Sequence, residues 1–597
     1  MKLTFLLLLP LLLAATVAPA APKLAYLLSM DEPHTHYFAV EMRLTDLDRR
    51  DYLDVKMATW TPGSYLIREY AKNVEAFVAT DGKGAPLRSE KVSKNTWRVY
   101  LRNAPELRVT YRLYANELTV RTSYVDASHG YVNGASMFMY PDQMQQLPST
   151  LTIRPFAGWT AVSTALDSVP GEKFTFSVPS YDTLVDSPIE IGTHPTLNFV
   201  AAGVPHRVAM FGAANYEPTR LLSDMKKICE EATKVVGEHP CKNYLFLVHN
   251  LAAGGGGLEH LNSTSLQTSR AGYATEAGYN GFLGLVAHEY FHLWNVKRLR
   301  PLELGPFDYE REVYPKSLWI SEGVTDYYAD LQLARAGLYT PDEYLRELSA
   351  AIRTLQTTPG RLNQSAETAS FDAWIKQYRP DDNTVNSTIS YYTKGAVLGF
   401  VLDARIRAVT SDAKSLDDVM RLAFTRYSSA RGFTPDDFRK TASEVAGTDL
   451  GAWFVRALES TEELDYDPAL DWFGLRLSSS PGSIKEAGWL GAKTKIEAGR
   501  LLVENVPRGT PAYGAGVNPG DEILGIDDFR VLPEDLTRRL AAYRPGRKVV
   551  LLVSRRDELT RLDVTLGEEP PDRFTLQVRP DLTPEQRGRL RRWMVGG

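Results

Sequence analysis

The sequence predicts an α+β protein of several domains, strand-rich at its N-terminus, mixed and then mainly helical through its middle, with a smaller unit towards the C-terminus. Three observations support this. At 597 residues the chain is too long for one hydrophobic core. The stretch Leu107-Arg108-Val109-Thr110-Tyr111-Arg112-Leu113 alternates apolar and polar residues, as a half-buried strand does, and Gly63, Asp81-Gly82-Lys83-Gly84 and Asn133-Gly134 punctuate the same region as turns. After residue 280 the pattern becomes helical, with stretches such as Pro341 to Leu355 and Ser415 to Tyr427.

The chain opens with Met1-Lys2, an apolar run from Phe5 to Leu13, and Ala18-Pro19-Ala20. That order is a secretory signal peptide over residues 1–20, cleaved after Ala20. The run is short for an uncleaved membrane anchor, and no cysteine follows it as a lipoprotein would require. No second segment of spanning length occurs, so the mature chain is expected to be soluble, without a membrane span, in the periplasm or outside the cell. Cys229 and Cys241 are the only cysteines, which excludes a disulfide-dense scaffold and a thiolate zinc cluster. In an oxidising compartment they either pair or remain two separate buried thiols. A net charge of −5 and an ordinary composition leave no nucleic-acid footprint and imply no large disordered region.

Chemistry concentrates around His288-Glu289-Tyr290-Phe291-His292, an HExxH motif. On a helix, positions i and i+4 project about 40° apart and about 6 Å along the axis, so both imidazoles reach one ion. Glu289 then lies where it handles the proton of an attacking water. The apolar residues Gly281 to Ala287 before the motif and Leu293-Trp294 after it read as a buried helix, with Asn280 as a candidate N-cap. The plain alternative is a core helix whose histidines only hydrogen-bond their neighbours.

A catalytic zinc needs three protein ligands and one open position. Glu322, in the apolar stretch Leu318 to Tyr328, is the leading third ligand, and Asp326 at i+4 is placed to fix the tautomer of a ligand histidine. Glu303, Asp308, Glu310 and Glu312 are rivals, but they lie in a proline-rich, charged loop between Pro301 and Pro315 that would hold a ligand less rigidly. Upstream, Tyr244 to Val248 reads as a buried strand running into Gly254-Gly255-Gly256-Gly257-Leu258-Glu259-His260. Glycines there allow a substrate backbone to approach, and an edge strand can pair with an extended peptide. The alternative is a glycine loop with a surface Glu-His pair. His260 is assigned a structural role, and the other histidines show no ligand spacing.

Taken together, HEYFHLWN, SLWISEGVTDYY, GGGGLEH and YYTKGA resemble the glycyl aminopeptidase family of zinc metallopeptidases, a relative of the larger aminopeptidase group with a thermolysin-like catalytic domain. Trp60 to Arg68 is similar to a stretch typical of the family, and the likeness extends over nearly the whole mature chain. One departure from the larger group is the 29 residues, 293 to 321, between His292 and Glu322. The resemblance implies one zinc per chain held by His288, His292 and Glu322, with Glu289 as general base. It implies Glu259, with Gly256 and Gly257, at the substrate's free amino group, and Tyr392 as donor to the oxyanion, with Tyr391 the rival. A preference for N-terminal glycine or alanine comes from the resemblance alone.

The domain plan is a signal peptide (1–20), a β-rich domain (22–205) that packs on the catalytic one, a thermolysin-like zinc peptidase domain (206–465), a PDZ domain (466–569) and a tail (570–597) with a short basic surface helix. The third domain resembles PDZ domains in Val506 to Ala512 and Gly516 to Ile526, and Phe473-Gly474-Leu475-Arg476-Leu477 looks like the start of the carboxylate-binding region. Such a domain captures peptide C-termini by strand addition. The expected activity is an exported zinc aminopeptidase acting on peptides with a free N-terminus. Two alternatives are a PDZ-containing zinc endopeptidase and a non-catalytic peptide-binding scaffold.

Overall fold

In the computed structural model residues 21–482 and 487–595 are described, so the expected signal peptide lies outside the described residues. The alternating stretch forms the strand Leu107–Tyr114, which buries every second side chain and pairs with Tyr37–Thr45 on one side and Val74–Thr80 on the other. These strands belong to a seven-stranded sheet, and two four-stranded sheets complete the first unit around a core that includes Leu28, Phe38, Val109, Met137 and Ile189. The turn at Asp81 is held by its own carboxylate, which accepts from the backbone N–H groups of Lys83 and Ala85 at 2.9 and 2.8 Å.

The second unit begins with a five-stranded sheet whose spatial order is Thr196–Ala201, Val204–Phe211, Tyr244–Leu251, Ser263–Ser269 and Gly256–Glu259. It starts at Thr196, ahead of the boundary placed at 205/206, because Thr196–Ala201 pairs antiparallel with Val204–Phe211 and not with the first unit. Tyr244–Leu251 lies between parallel neighbours and is buried on both faces, which accounts for its unbroken apolar run. The glycine-rich strand Gly256–Glu259 stands at the sheet edge. Helices cover the sheet, among them Pro218–Val236, the motif helix Glu276–Phe291 and the long helix Tyr391–Val409. The motif helix is capped by Thr275, whose side chain accepts from the Gly278 N–H, so Asn280 lies inside it, one turn later than its expected place as N-cap. An all-round apolar helix carries no periodic mark of where it starts.

Between these two units the contacts are polar as well as apolar. Glu190 of the first unit accepts from His129 Nδ1 at 2.7 Å and from His249 Nε2 of the second unit at 2.9 Å, all three side chains being buried. Lys297 pairs with Asp186 at 2.7 Å, and the Tyr131 hydroxyl donates to Ser265 at 2.8 Å.

The third unit has a sheet of Lys493–Glu497, Arg500–Asn505, Glu522–Ile526, Lys548–Arg555 and Glu558–Thr565, with the short Phe529–Arg530 alongside, and a core of its own. Phe473 to Leu477 does not enter that unit. Phe473 is buried in the core of the helical unit, and Leu475–Ser480 pairs with Arg573–Val578 as a separate two-stranded ribbon, bonded from the Leu576 N–H to Ser349 at 2.8 Å. The tail is likewise more than a surface helix. Pro584–Val595 turns Trp593 inward, where its ring stacks on Phe473 at 4.1 Å and its Nε1–H donates to the Tyr327 hydroxyl at 2.9 Å. Both chain segments flanking the third unit therefore return to the helical one. Asn386 adds a clamp: its buried amide donates to the Val506 carbonyl at 3.0 Å and accepts from the Arg508 N–H at 2.6 Å. Cys229 and Cys241 are free thiols. Among the described residues no helix is long and apolar enough to cross a membrane.

Burial works to raise the Glu190 carboxyl, but the two imidazoles overcome it and bring it down to about 2. A depressed acid contributes stability above its unfolded value, near pH 4.3, and loses it as pH falls towards 2, here on the order of 3 kcal/mol. Thermal unfolding should therefore show Glu190→Gln less stable than the parent at pH 7, with the gap closing between pH 4.5 and 2.

Candidate active site

The motif helix directs His288 and His292 to one place, and their hydrogen bonds fix which nitrogen faces it. His288 Nδ1 donates to Asp326 Oδ1 at 2.7 Å, and His292 Nδ1 to the Asn295 carbonyl at 2.9 Å. A carbonyl and a carboxylate only accept, so each Nδ1 carries the proton and each neutral ring presents Nε2 as a lone pair. The two Nε2 atoms are 3.0 Å apart, and Glu322 Oε2 lies 3.6 Å from one and 3.3 Å from the other. Burial opposes the charge of Glu322, and positive charge at the two imidazoles, carried by protons on the rings or by a cation in their place, is what keeps its carboxyl low.

Three buried acceptors converging in this way repel one another unless a cation lies between them. In a tetrahedral zinc site with bonds of about 2.1 Å, neighbouring ligand atoms are roughly 3.4 Å apart, so the observed separations fit that ion. None of the rivals Glu303, Asp308, Glu310 and Glu312 joins the converging groups found among the described residues: Glu310 pairs with Lys56 at 2.7 Å, the Asp308 carboxylate accepts from the Glu310 N–H at 2.9 Å and pairs with Arg311 at 3.0 Å, and Glu303 is exposed.

Glu322 does not sit on a regular α-helix. Trp319–Val324 is a π-helical turn that passes into the helix Thr325–Arg335, a wider winding that often marks functional positions. Asn295, three residues after the motif, ties this turn to the motif helix through Nδ2, which donates to the Ile320 carbonyl at 2.8 Å and to Thr325 Oγ1 at 3.0 Å. Gly323 and Gly395 meet on the other side. A Cβ on Gly395 would stand 2.5 Å from the Trp319 carbonyl and 2.8 Å from the Gly323 Cα, so only glycine lets the turn lie this close to the helix Tyr391–Val409. Asn295, Gly323 and Gly395 stand inside HEYFHLWN, SLWISEGVTDYY and YYTKGA, but no role for them is legible in the sequence alone.

That close approach also brings in Tyr392. Its ring lies 6.3 Å from His288 and nearly parallel to it, whereas Tyr391 is fully buried behind it with its hydroxyl unpartnered. Glu289 and Glu259 gather at His292, and their carboxylates lie within 4.8 Å of each other and of that ring. Burial pushes the Glu289 carboxyl up to about 7; the imidazoles of His288 and His292 oppose this, and Glu259 and Glu322 reinforce it. Gly257 is needed because a Cβ there would overlap the Glu289 carboxylate, while Gly256 has φ +106° and open space around it. Gly63, from the first unit, lies over Glu259: a Cβ on it would be 2.5 and 2.7 Å from the two carboxylate oxygens. His260 faces away and pairs with Asp186 at 3.2 Å.

Comparisons with known proteins follow the same lines. Family models match over residues 25–193 (Peptidase M61 N-terminal domain), 281–398 (M61 glycyl aminopeptidase) and 488–566 (PDZ domain). The crystal structure of an aminopeptidase N family protein from Idiomarina loihiensis is 30% identical and superposes with a TM-score of 0.89, over 96% of this chain and 100% of that one. A probable periplasmic serine endoprotease, DegP-like, from Brucella suis is 32% identical over 105 residues, which is 15% of this chain and 20% of that protein. The magnetosome formation protease MamE of Paramagnetospirillum magneticum is 35% identical over 80 residues, 13% of this chain and 11% of that protein. The chain thus spans about a fifth or less of these curated relatives.

Gly395→Ala should cost about 1–3 kcal/mol by overpacking and displace the Glu322 turn. Gly281→Ala, on the exposed face of the motif helix with nothing near its Cβ, should be neutral or stabilising by up to about 1 kcal/mol. Unfolding midpoint and bound zinc per chain, measured for both variants, check the contrast: zinc is lost in the first and kept in the second.

Proposed function

The chain belongs to the M61 glycyl aminopeptidase family of zinc-dependent aminopeptidases, and from that premise we propose that it removes single residues, glycine or alanine by preference, from the free N-terminus of peptides. The observation that carries this reading is the carboxylate of Glu259 beside Glu289 and His292, their donor atoms within 4.8 Å of one another. In a peptide the terminal nitrogen and the first carbonyl carbon are about 2.5 Å apart. An ammonium group bonded to Glu259 therefore leaves the first peptide bond, and no later one, within reach of the histidines.

His288, His292 and Glu322 hold one zinc ion per chain, with Asp326 and the Asn295 carbonyl keeping both imidazoles in the required tautomer. When bound, zinc supplies Lewis acidity for the scissile carbonyl and lets water act as a nucleophile near neutral pH. Glu289, buried beside His292, takes the proton of the attacking water and returns it to the leaving amine. Tyr392 donates its hydroxyl hydrogen to the carbonyl oxygen as charge develops there. The edge strand Gly256–Glu259 pairs with the substrate backbone, and Gly257 keeps side-chain atoms out of the space used by Glu289.

The signal-like residues 1–20 support export, and the edge strand Lys493–Glu497 of the PDZ unit offers a place where a peptide C-terminus can add as a further strand.

Glycine p-nitroanilide should be cleaved, and its N-acetyl counterpart should not; equal cleavage of the two would favour an endopeptidase. Glu289→Gln should lose about 10²–10⁴ in kcat while its zinc content stays at one per chain.

A further inference from the structure

The first side-chain atom of an N-terminal residue lies about 2.5 Å from its amine, so whatever surrounds the amine anchor also decides which side chains fit. Glu259 is walled by three different elements. Its own edge strand, Gly256–Glu259, is one, and the motif helix, with Glu289 and His292 inside 4.8 Å, is the second. The third is Gly63 of the first unit, where a Cβ would stand 2.5 and 2.7 Å from the Glu259 oxygens and 2.7 Å from Leu258 Cδ1. Even a methyl group on Gly63 has no room there.

Tyr378 joins this third wall from the helical unit. It is half-buried, and its hydroxyl donates to the Gly63 carbonyl at 3.3 Å. Both ends of the bridge are braced. On one side the Gly63 turn, with φ +85°, is closed by the Ser64 N–H on the Thr61 carbonyl at 3.1 Å, and Ser64 Oγ accepts from Arg68 Nη2 at 2.8 Å. On the other, the Tyr378 ring ends a ladder of edge-on aromatic contacts that alternates between the two units. Trp60 meets Trp374 at 5.2 Å, Trp374 meets Tyr65 at 5.7 Å, and Tyr65 meets Tyr378 at 5.9 Å, with interplanar angles of 77° to 80°. Both indoles are pinned in turn, Trp60 Nε1–H on the Asp308 carbonyl at 2.7 Å and Trp374 Nε1–H on the Val313 carbonyl at 2.6 Å. A wall packed in this way rejects a larger group instead of yielding to it.

We propose that Gly63 and Tyr378 form the end wall of the subsite for the N-terminal residue, and that this wall, shared by two units, holds the substrate to glycine or alanine. The proposal rests on the reading of Glu259 as the amine anchor. With the ammonium group on Glu259, the α-carbon of the first residue lies beside the Gly63 turn, and a side chain longer than a methyl group meets the Tyr378 ring. The N-terminal unit thereby takes part in choosing the substrate. Such exclusion reads out in the ratio of kcat/KM between a small and a large N-terminal residue.

The test compares glycine, alanine and leucine p-nitroanilides, with N-acetylglycine p-nitroanilide as control, on the zinc-loaded full chain of the parent, Tyr378→Ala and Tyr378→Leu. Unfolding midpoint and zinc content are measured on each. Tyr378→Leu keeps an apolar side chain against Tyr65, so it decides the matter if Tyr378→Ala fails to fold. The preference for glycine over leucine in kcat/KM should fall about tenfold or more in Tyr378→Ala and by a smaller factor in Tyr378→Leu, while the acetylated substrate stays uncleaved. A glycine-to-leucine ratio that keeps its parent value in the folded, zinc-loaded variants, with the acetylated substrate still refused, would overturn the wall and leave the amine anchor standing. Cleavage of the acetylated substrate by the parent would overturn both.

Discussion

The convergence of three buried acceptors, His288 Nε2, His292 Nε2 and Glu322 Oε2, is the constraint around which the helical unit is organised. Each element near it answers to that requirement. Asp326 and the Asn295 carbonyl hold the protons on the far side of the two rings, so that lone pairs face inward. The π-helical turn sets Glu322 against the motif helix, and the Asn295 side chain holds that turn in place. The contact of Gly323 with Gly395 then decides how near the helix of Tyr392 can come, so Glu322 and Tyr392 share one packing interface.

Around this centre the other units act as walls. The first unit contributes Gly63 over Glu259 and an aromatic ladder that crosses into the helical unit at Trp374 and Tyr378. Its polar contacts through Glu190 and Asp186 keep that approach in register at two further places. The PDZ unit is held at three points: the ribbon of Leu475–Ser480 with Arg573–Val578, the C-terminal helix with Trp593, and the Asn386 clamp. Asn386 lies shortly before Ser390, the cap of the tyrosine helix, so the third unit is fastened close to the chain segment that leads into the site.

What was legible in the sequence was local. The HExxH spacing, the carboxylate pair Glu322 and Asp326, and the tyrosine beside a lysine-glycine step are each short patterns on one element, and the structure brings those side chains together. Contacts between distant segments left weaker marks. The role of Gly395 depends on a backbone more than 70 residues upstream, and a glycine inside an apolar helix reads only as a local cost. Trp593 belongs to a basic helix whose polar face dominates the composition, so its burial against Phe473 was hidden, and with it the true place of Phe473 to Leu477. Thr275 and the π-helical turn were missed because a helix buried all round shows neither its start nor its winding in hydrophobic periodicity.

The proposed centre is a metal held by two histidines of one helix and a glutamate of the next. A crystal of the protein measured at the zinc absorption edge tests this most directly. An anomalous peak about 2.0–2.2 Å from His288 Nε2, His292 Nε2 and Glu322 Oε2 is the predicted result. No peak there, or a peak instead among Glu259, Glu289 and His292, whose donor atoms also cluster within 4.8 Å, would contradict it.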